Sequence, residues 1–174
     1  MIFSRKKDVD HIYQSLVNQS RSVDLFADYG LQDCWENRFE SICLHGFLVM
    51  QRLKSLDPSL KMTHALYKQL CQDLDGNMRH MGVGDLGVAR RMKGLMGGFR
   101  ARALAYESAL SKQDKASLVD LLSRCFMHKM DAPTLKKFAH YVAYQNHALM
   151  SWQCLSEPPW GQALTESHCQ TVSA

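Results

Sequence analysis

The sequence predicts an all-α fold, a single-domain bundle of about six helices. Three observations lead there. Apolar residues recur at steps of three and four over long stretches, β-branched runs that would mark strands are missing, and Asp-Pro and Gly-Asp breakers cut the chain into helix-length pieces. With 174 residues, 46% of them hydrophobic and 22% charged, the chain reads as one globular domain over residues 1–174 that needs no staple to hold a core.

The first helix is expected over residues 8–21, where Val9, Ile12, Tyr13, Leu16 and Val17 share a face. Residues 22–33 hold Asp24, Asp28, Tyr29-Gly30 and Asp33, a turn-rich connection that ends in a candidate N-cap. The second helix, residues 33–56, places Trp35, Phe39, Ile42, Gly46, Val49 and Leu53 on one face. Leu44, Phe47 and Leu48 cover the others, so this helix belongs at the centre of the bundle. His45 within it reads as a core histidine with a backbone partner, since a metal needs several convergent ligands.

Asp57-Pro58-Ser59 stops that helix and starts a third over residues 60–81, with Leu66, Leu70, Leu74, Met78 and Met81 as its stripe. Arg79 and His80 suit the negative end of its dipole. In the fourth helix, residues 86–110, the residues Met92, Leu95, Met96, Phe99, Ala103, Tyr106 and Leu110 fall within an arc of about 100°. A fifth helix over 112–129 turns Leu118, Leu121, Leu122, Cys125 and Phe126 inward. A sixth, from Pro133 to about residue 155, carries a core stripe of Leu135, Phe138, Val142 and Leu149 beside a second face of Tyr141, Tyr144, Ala148 and Trp152. That second aromatic face is expected to pack inside or to receive a partner. Pro158-Pro159 ends the helix, and the polar tail over 157–174 has Trp160 as its one large anchor.

The stretch from Arg79 to Lys93 decides between an enzyme and a binding protein. Gly82, Gly84 and Gly87 match the G-x-G-x-x-G fingerprint of dinucleotide sites as a string, and Glu107 stands about 20 residues on. A buried strand must precede such a loop, whereas residues 70–81 have helical periodicity. The glycines are therefore read as a corner between two helices: Gly82 in the left-handed region, Gly84 allowing a second unusual angle, and Asp85 capping the next helix.

Other catalytic and metal patterns fail in the same way. Asp73-x-Asp75-x-Asn77 imitates the start of a calcium loop but lacks its glycine and final glutamate, so both acids read as a solvated helix face. There is no H-E-x-x-H and no G-x-S-x-G. The cysteines at 34, 43, 71, 125, 154 and 169 have no C-x-x-C spacing and read as small core residues of a reducing compartment. No enzyme activity, cofactor or metal is expected. Arg5, Lys6 and Lys7 follow a very short apolar start, the reverse of a secretory signal. That end reads as frayed, with contact to an anionic membrane surface as the alternative.

What remains is electrostatic and steric. Between Arg79 and Arg102 stand six cations, Arg79, Arg90, Arg91, Lys93, Arg100 and Arg102, against Asp85 alone. Asp24, Asp28, Asp33, Glu36 and Glu40 stand together against Arg38. Such a dipolar surface orients an encounter with a charged partner. On the polar side of the fourth helix lie Gly94, Gly97 and Gly98, each costing a helix interior about 1 kcal/mol relative to Ala. Either a neighbouring helix packs closely there, or the glycines leave room for a partner between the basic side chains.

Arg38-Phe39-Glu40 leading into an apolar helix, Asp73-x-Asp75 ahead of Arg79, and Met81-Gly-Val-Gly-Asp-Leu-Gly-Val88 followed by Arg90-Arg91-Met92-Lys93 resemble the ubiquinol-cytochrome c chaperone family. The resemblance covers about residues 28–144. It implies a helical, non-enzymatic assembly factor for the cytochrome bc1 complex that binds cytochrome b or an early intermediate at the inner membrane. A second assembly factor is implied as a further partner. His80 stands where the family is expected to carry an acid, and the start of the chain, read as lacking a transit peptide, is similar to the compact bacterial members. Localisation is accordingly expected to be cytoplasmic, with peripheral contact at the inner membrane.

The expected partner-binding residues are Arg79, Asp85, Arg90, Arg91, Lys93, Gly94, Gly97, Gly98, Arg100, Tyr141, Tyr144 and Trp152, with Gly82, Gly84 and Gly87 as the structural corner. The competing expectation is a ribosome- or RNA-contacting module that acts through the same basic cluster, with no other nucleic-acid contact.

Overall fold

Every residue from Ser41 to Met50 is buried, so the helix that carries them must be surrounded. The computed structural model describes residues 2–111, 114–126, 130–153 and 157–161, with side chains from Lys6 onward. Its helices are α1 (Ile2–Ser20), α2 (Val23–Ala27), α3 (Trp35–Leu56), α4 (Lys61–His80), α5 (Asp85–Ser111), α6 (Lys115–Cys125) and α7 (Ala132–Met150). No strand occurs among the described residues. The all-α expectation holds, with six longer helices and the short α2 inside the segment read as a turn.

Helix α3 is the axis of the bundle and touches α1, α4, α5 and α7, while α6 bridges α5 and α7. One hydrophobic cluster runs from Val9 to Trp152 through all of these elements. Its order follows from the sequence pattern: an element that is apolar all round can only sit inside a ring of elements that are apolar on one side.

Local chemistry sets most of the helix starts. The Asp114 carboxylate accepts from the Ala116 and Ser117 amides at the start of α6, and that of Asp131 from Thr134 at the start of α7. The Asp57 carboxylate accepts from the Met62 amide in the first turn of α4 at 2.9 Å. Asp33, expected as an N-cap, instead holds the Arg38 guanidinium through two bonds, and Cys34 takes the cap position of α3 without a side-chain bond. Residues 127–129, 154–156 and 162–174, which include the expected ends of the fifth and sixth helices, Cys154, Cys169 and most of the tail, lie outside the described residues.

The buried histidine of α3 is satisfied across the bundle. His45 donates from Nδ1 to the Ser41 carbonyl at 2.8 Å, which leaves Nε2 to accept from the Tyr141 hydroxyl at 2.8 Å. That hydroxyl in turn accepts from Gln19 at 2.9 Å. Complete burial lowers the His45 pKa to about 4, against a smaller opposing contribution from its bond to Ser41. The imidazole is thus a neutral core group with both nitrogens engaged, as its sequence context indicates.

The tail returns to close this region. The Trp160 indole donates to Ser15 of α1 at 3.0 Å, the Ser15 hydroxyl donates to Glu157 at 3.2 Å, and the Trp160 ring stands edge-on to His45. Gln145 exchanges two bonds of 2.9 Å with the Gly161 backbone, where any side chain would run into the Tyr144 ring.

Candidate interaction surface at the α4 to α5 corner

Helix α4 ends as a helix must when a glycine follows it. Gly82, at φ +80°, donates to the Arg79 carbonyl at 2.9 Å, and the next amide, Val83, reaches back to the Met78 carbonyl at 3.1 Å. This is the paired closure of a left-handed helix terminus, which satisfies carbonyls that α4 leaves open.

Gly84 departs from expectation. Among the described glycines only Gly30 and Gly82 have positive φ, and the role of Gly84 is to offer the carbonyl that accepts from Val88 at 2.9 Å, opening α5. Gly87 makes room, since a Cβ there would lie 2.9 Å from a Val83 methyl. With a helix in front of Gly82 and no strand, the glycines form a corner and not a phosphate cradle.

Asp85 is likewise no cap. It is the first helical residue of α5, and its carboxylate pairs with Arg79, which also holds Asp75 at 2.7 Å. Arg79 therefore ties the end of α4 to the start of α5, and the two carboxylates raise its pKa further. Arg102, counted from sequence with the basic face, pairs with Glu40 of α3 instead. Burial pushes the Glu40 carboxyl up even against Arg102. For Arg102, burial acts to lower its pKa, and the Glu40 carboxylate more than reverses that.

Subtracting these pairs leaves Arg90, Arg91, Lys93 and Arg100. None of the four makes an ion pair among the described residues. Between them lie the glycines. A Cβ added at Gly94 or Gly97 would meet nothing within 4 Å, and at Gly98 it would meet only the Arg102 side chain of the same helix. Close packing against another helix thus does not explain these glycines among the described residues, and the α5 outer face is open.

Beside that face runs a groove that is apolar at its α5 end and mixed at the other. Two hollows of about 330 and 460 Å³ adjoin along it, sharing Trp35, Met78, Met81 and Leu95. One reaches toward Arg21 and Asp73, the other toward Arg91 and Gly94. Trp35 is 47% exposed and stacks on Phe39 with ring centroids 5.6 Å apart, and Met81 is 56% exposed. Leu86, in the first turn of α5, is 90% exposed.

The sequence reading put Trp35 and Met81 on core stripes. Their positions could have warned otherwise, because Trp35 opens α3 and Met81 follows α4, where neighbours no longer cover every face.

Of its two expected roles, the second aromatic face takes the inward one at Tyr141 and Trp152. Tyr141 and Trp152 are each only 2% exposed. Tyr141 is taken up by His45 and Gln19, while Arg52 holds the Trp152 carbonyl at 2.9 Å. Tyr144 is half-buried, facing Gly161 and a separate hollow between α5, α6 and α7. The aromatic face of α7 is an inward one, because α1, α3 and the returning tail cover it.

The profile of the family described as ubiquinol-cytochrome C chaperone matches residues 27–153, a span that includes the corner and every groove residue except Arg21. The chain belongs to the ubiquinol-cytochrome C chaperone family. A solved structure, the crystal structure of the Cbp3 homolog from Brucella abortus, is similar in fold with a TM-score of 0.75 at 29% identity, covering 86% of this chain and 87% of that one. A search of curated proteins returned no match. For a chaperone, the corner has the expected physical character: a surface with unpaired charge, uncovered apolar side chains and room for another backbone.

Proposed function

We propose that this chaperone is a non-enzymatic assembly factor for the cytochrome bc1 complex that binds cytochrome b or an early intermediate containing it. The observation that carries the reading is the α5 outer face, where among the described residues Gly94 and Gly97 meet no neighbour and Arg90, Arg91, Lys93 and Arg100 have no ionic partner. Glycines in a helix interior cost stability, and a client that approaches between the basic side chains accounts for them.

Among the described residues no helix is long and apolar enough to cross a membrane. The proposed meeting with the membrane-embedded client is peripheral, on the cytoplasmic side. A second assembly factor would share the remaining surface.

Affinity capture from solubilised membranes of the source organism should recover cytochrome b or other bc1 subunits, and a deletion strain should lose assembled bc1. Normal bc1 accumulation in that strain would sink the reading. The variant Arg90→Glu/Arg91→Glu should keep its fold, because both residues are exposed, yet fail to restore assembly.

The four unpaired cations also favour a second reading, contact with ribosomal RNA. Binding to purified ribosomes would then weaken steeply with salt, and its absence in low salt removes that reading.

A further inference from the structure

We infer that the element captured at the corner is an amphipathic helix with an acidic flank, laid along the groove between α5 and the ends of α3 and α4. The inference rests on the proposed docking surface and adds the kind of segment that it takes. Three observations lead to it.

The first is the chemistry of the walls. The groove is bounded by α5 and the ends of α3 and α4, and no strand occurs among the described residues. An extended segment would find no sheet edge to bond to and would bury its own amides unpaired, whereas a helix satisfies its backbone internally and brings only side chains. The second is shape. Each hollow, at about 330 and 460 Å³, is larger than any single side chain, and the two adjoin at Trp35, Met78, Met81 and Leu95. Successive apolar side chains on one helix face, three and four residues apart, fit such a pair of adjoining sites. Gly94 stands at the lip with open space beyond it, so the incoming backbone can lie close to α5.

The third is charge. Arg38, Arg79 and Arg102 are neutralised by Asp33, by Asp75 with Asp85, and by Glu40. Arg90, Arg91 and Lys93 are not, and Arg91 lines the groove itself. Carboxylates along the α5-facing flank of the incoming helix would complete these pairs, while lysines there would be repelled.

The test uses the purified full-length protein and three probes: a labelled helical peptide with a Leu/Met stripe and glutamates along one flank, the same peptide with lysines in place of the glutamates, and vesicles of phosphatidylcholine containing phosphatidylglycerol. The glutamate peptide should bind saturably and shift the emission of exposed Trp35, with the lysine peptide at least about tenfold weaker. Arg91→Glu should reverse that order. Gly94→Leu, which fills the lip, should weaken the glutamate peptide at least about tenfold while leaving the helical circular dichroism unchanged.

Equal affinity for the two peptides, or full affinity in Gly94→Leu, overturns the inference. So does capture by the anionic vesicles without peptide binding, which would assign the cations to lipid headgroups. If deletion abolishes bc1 assembly but the peptides fail, this inference falls alone; if deletion leaves bc1 intact, the proposed function falls while the peptide result stands.

Discussion

Helices α3 and α5 both carry glycine in their interior, and the glycines of the two do opposite things. At Gly46 of α3 the Phe99 ring of α5 lies 3.6 Å from where a Cβ would stand, with Leu16 of α1 at 3.9 Å. At Gly94 and Gly97 of α5 there is nothing within 4 Å. The first glycine faces packed neighbours, with room for a methyl group at ordinary contact distance but for nothing larger. The others face a surface that the described residues leave uncovered. A glycine in a helix is therefore informative only together with its neighbourhood: around α3 it serves packing, and on the outer side of α5 it lowers helix stability without any internal gain.

The largest effect that sharpens this contrast comes from the closed region. His45 is neutral when folded, with a pKa of about 4 against 6.5 when free. Between those values the unfolded chain takes up a proton that the folded chain refuses, so stability falls as pH drops from about 6.5 to about 4 and is unaffected by this group above 6.5. The gap is worth about 3 kcal/mol. Urea unfolding at pH 7.5 and at pH 4.5 should show that loss in the wild type, and a clearly smaller one in His45→Gln. Equal losses would remove His45 as the cause.

Next, Gly46→Leu should overpack the α3–α5 contact and cost about 2 to 3 kcal/mol, read as a lowered denaturation midpoint. A neutral result would mean that Phe99 can swing aside and that the two glycine environments differ less than the distances indicate. The smallest effect lies on the open side, where Gly94→Ala and Gly97→Ala should each raise stability by about 1 kcal/mol. The same two changes should impair bc1 assembly. A loss of stability in either would reveal a neighbour at the α5 face after all.

The helices were legible because their apolar spacing is local. The stripes of α4, α5 and α6 and the all-round apolar middle of α3 needed only neighbours within a few turns. Ends were less legible: α1 begins at Ile2, six residues before the expected start, and α2 hides in a segment whose Asp and Gly content suggested turns. The corner was found from sequence, since Gly82 and the polar glycines of α5 break helix rules openly.

The site around the corner was read less well, for reasons of distance along the chain. Nothing near Arg102 reveals that Glu40 will neutralise it, nor does anything near Tyr141 reveal Gln19 and His45. Trp35 and Met81 obey the apolar periodicity of their helices. They are exposed because those helices end where no other described element covers them.

The strap formed by Trp160 has a consequence for how the protein comes into being. Ser15 and Trp160 are 145 residues apart and bond to each other over His45. During synthesis α1 and α3 leave the ribosome before the residue that seals them exists. The bundle can be completed only after nearly the whole chain has been made, and contacts of such sequence separation form slowly. A member of a chaperone family is itself, for the length of its own translation, an unfinished protein.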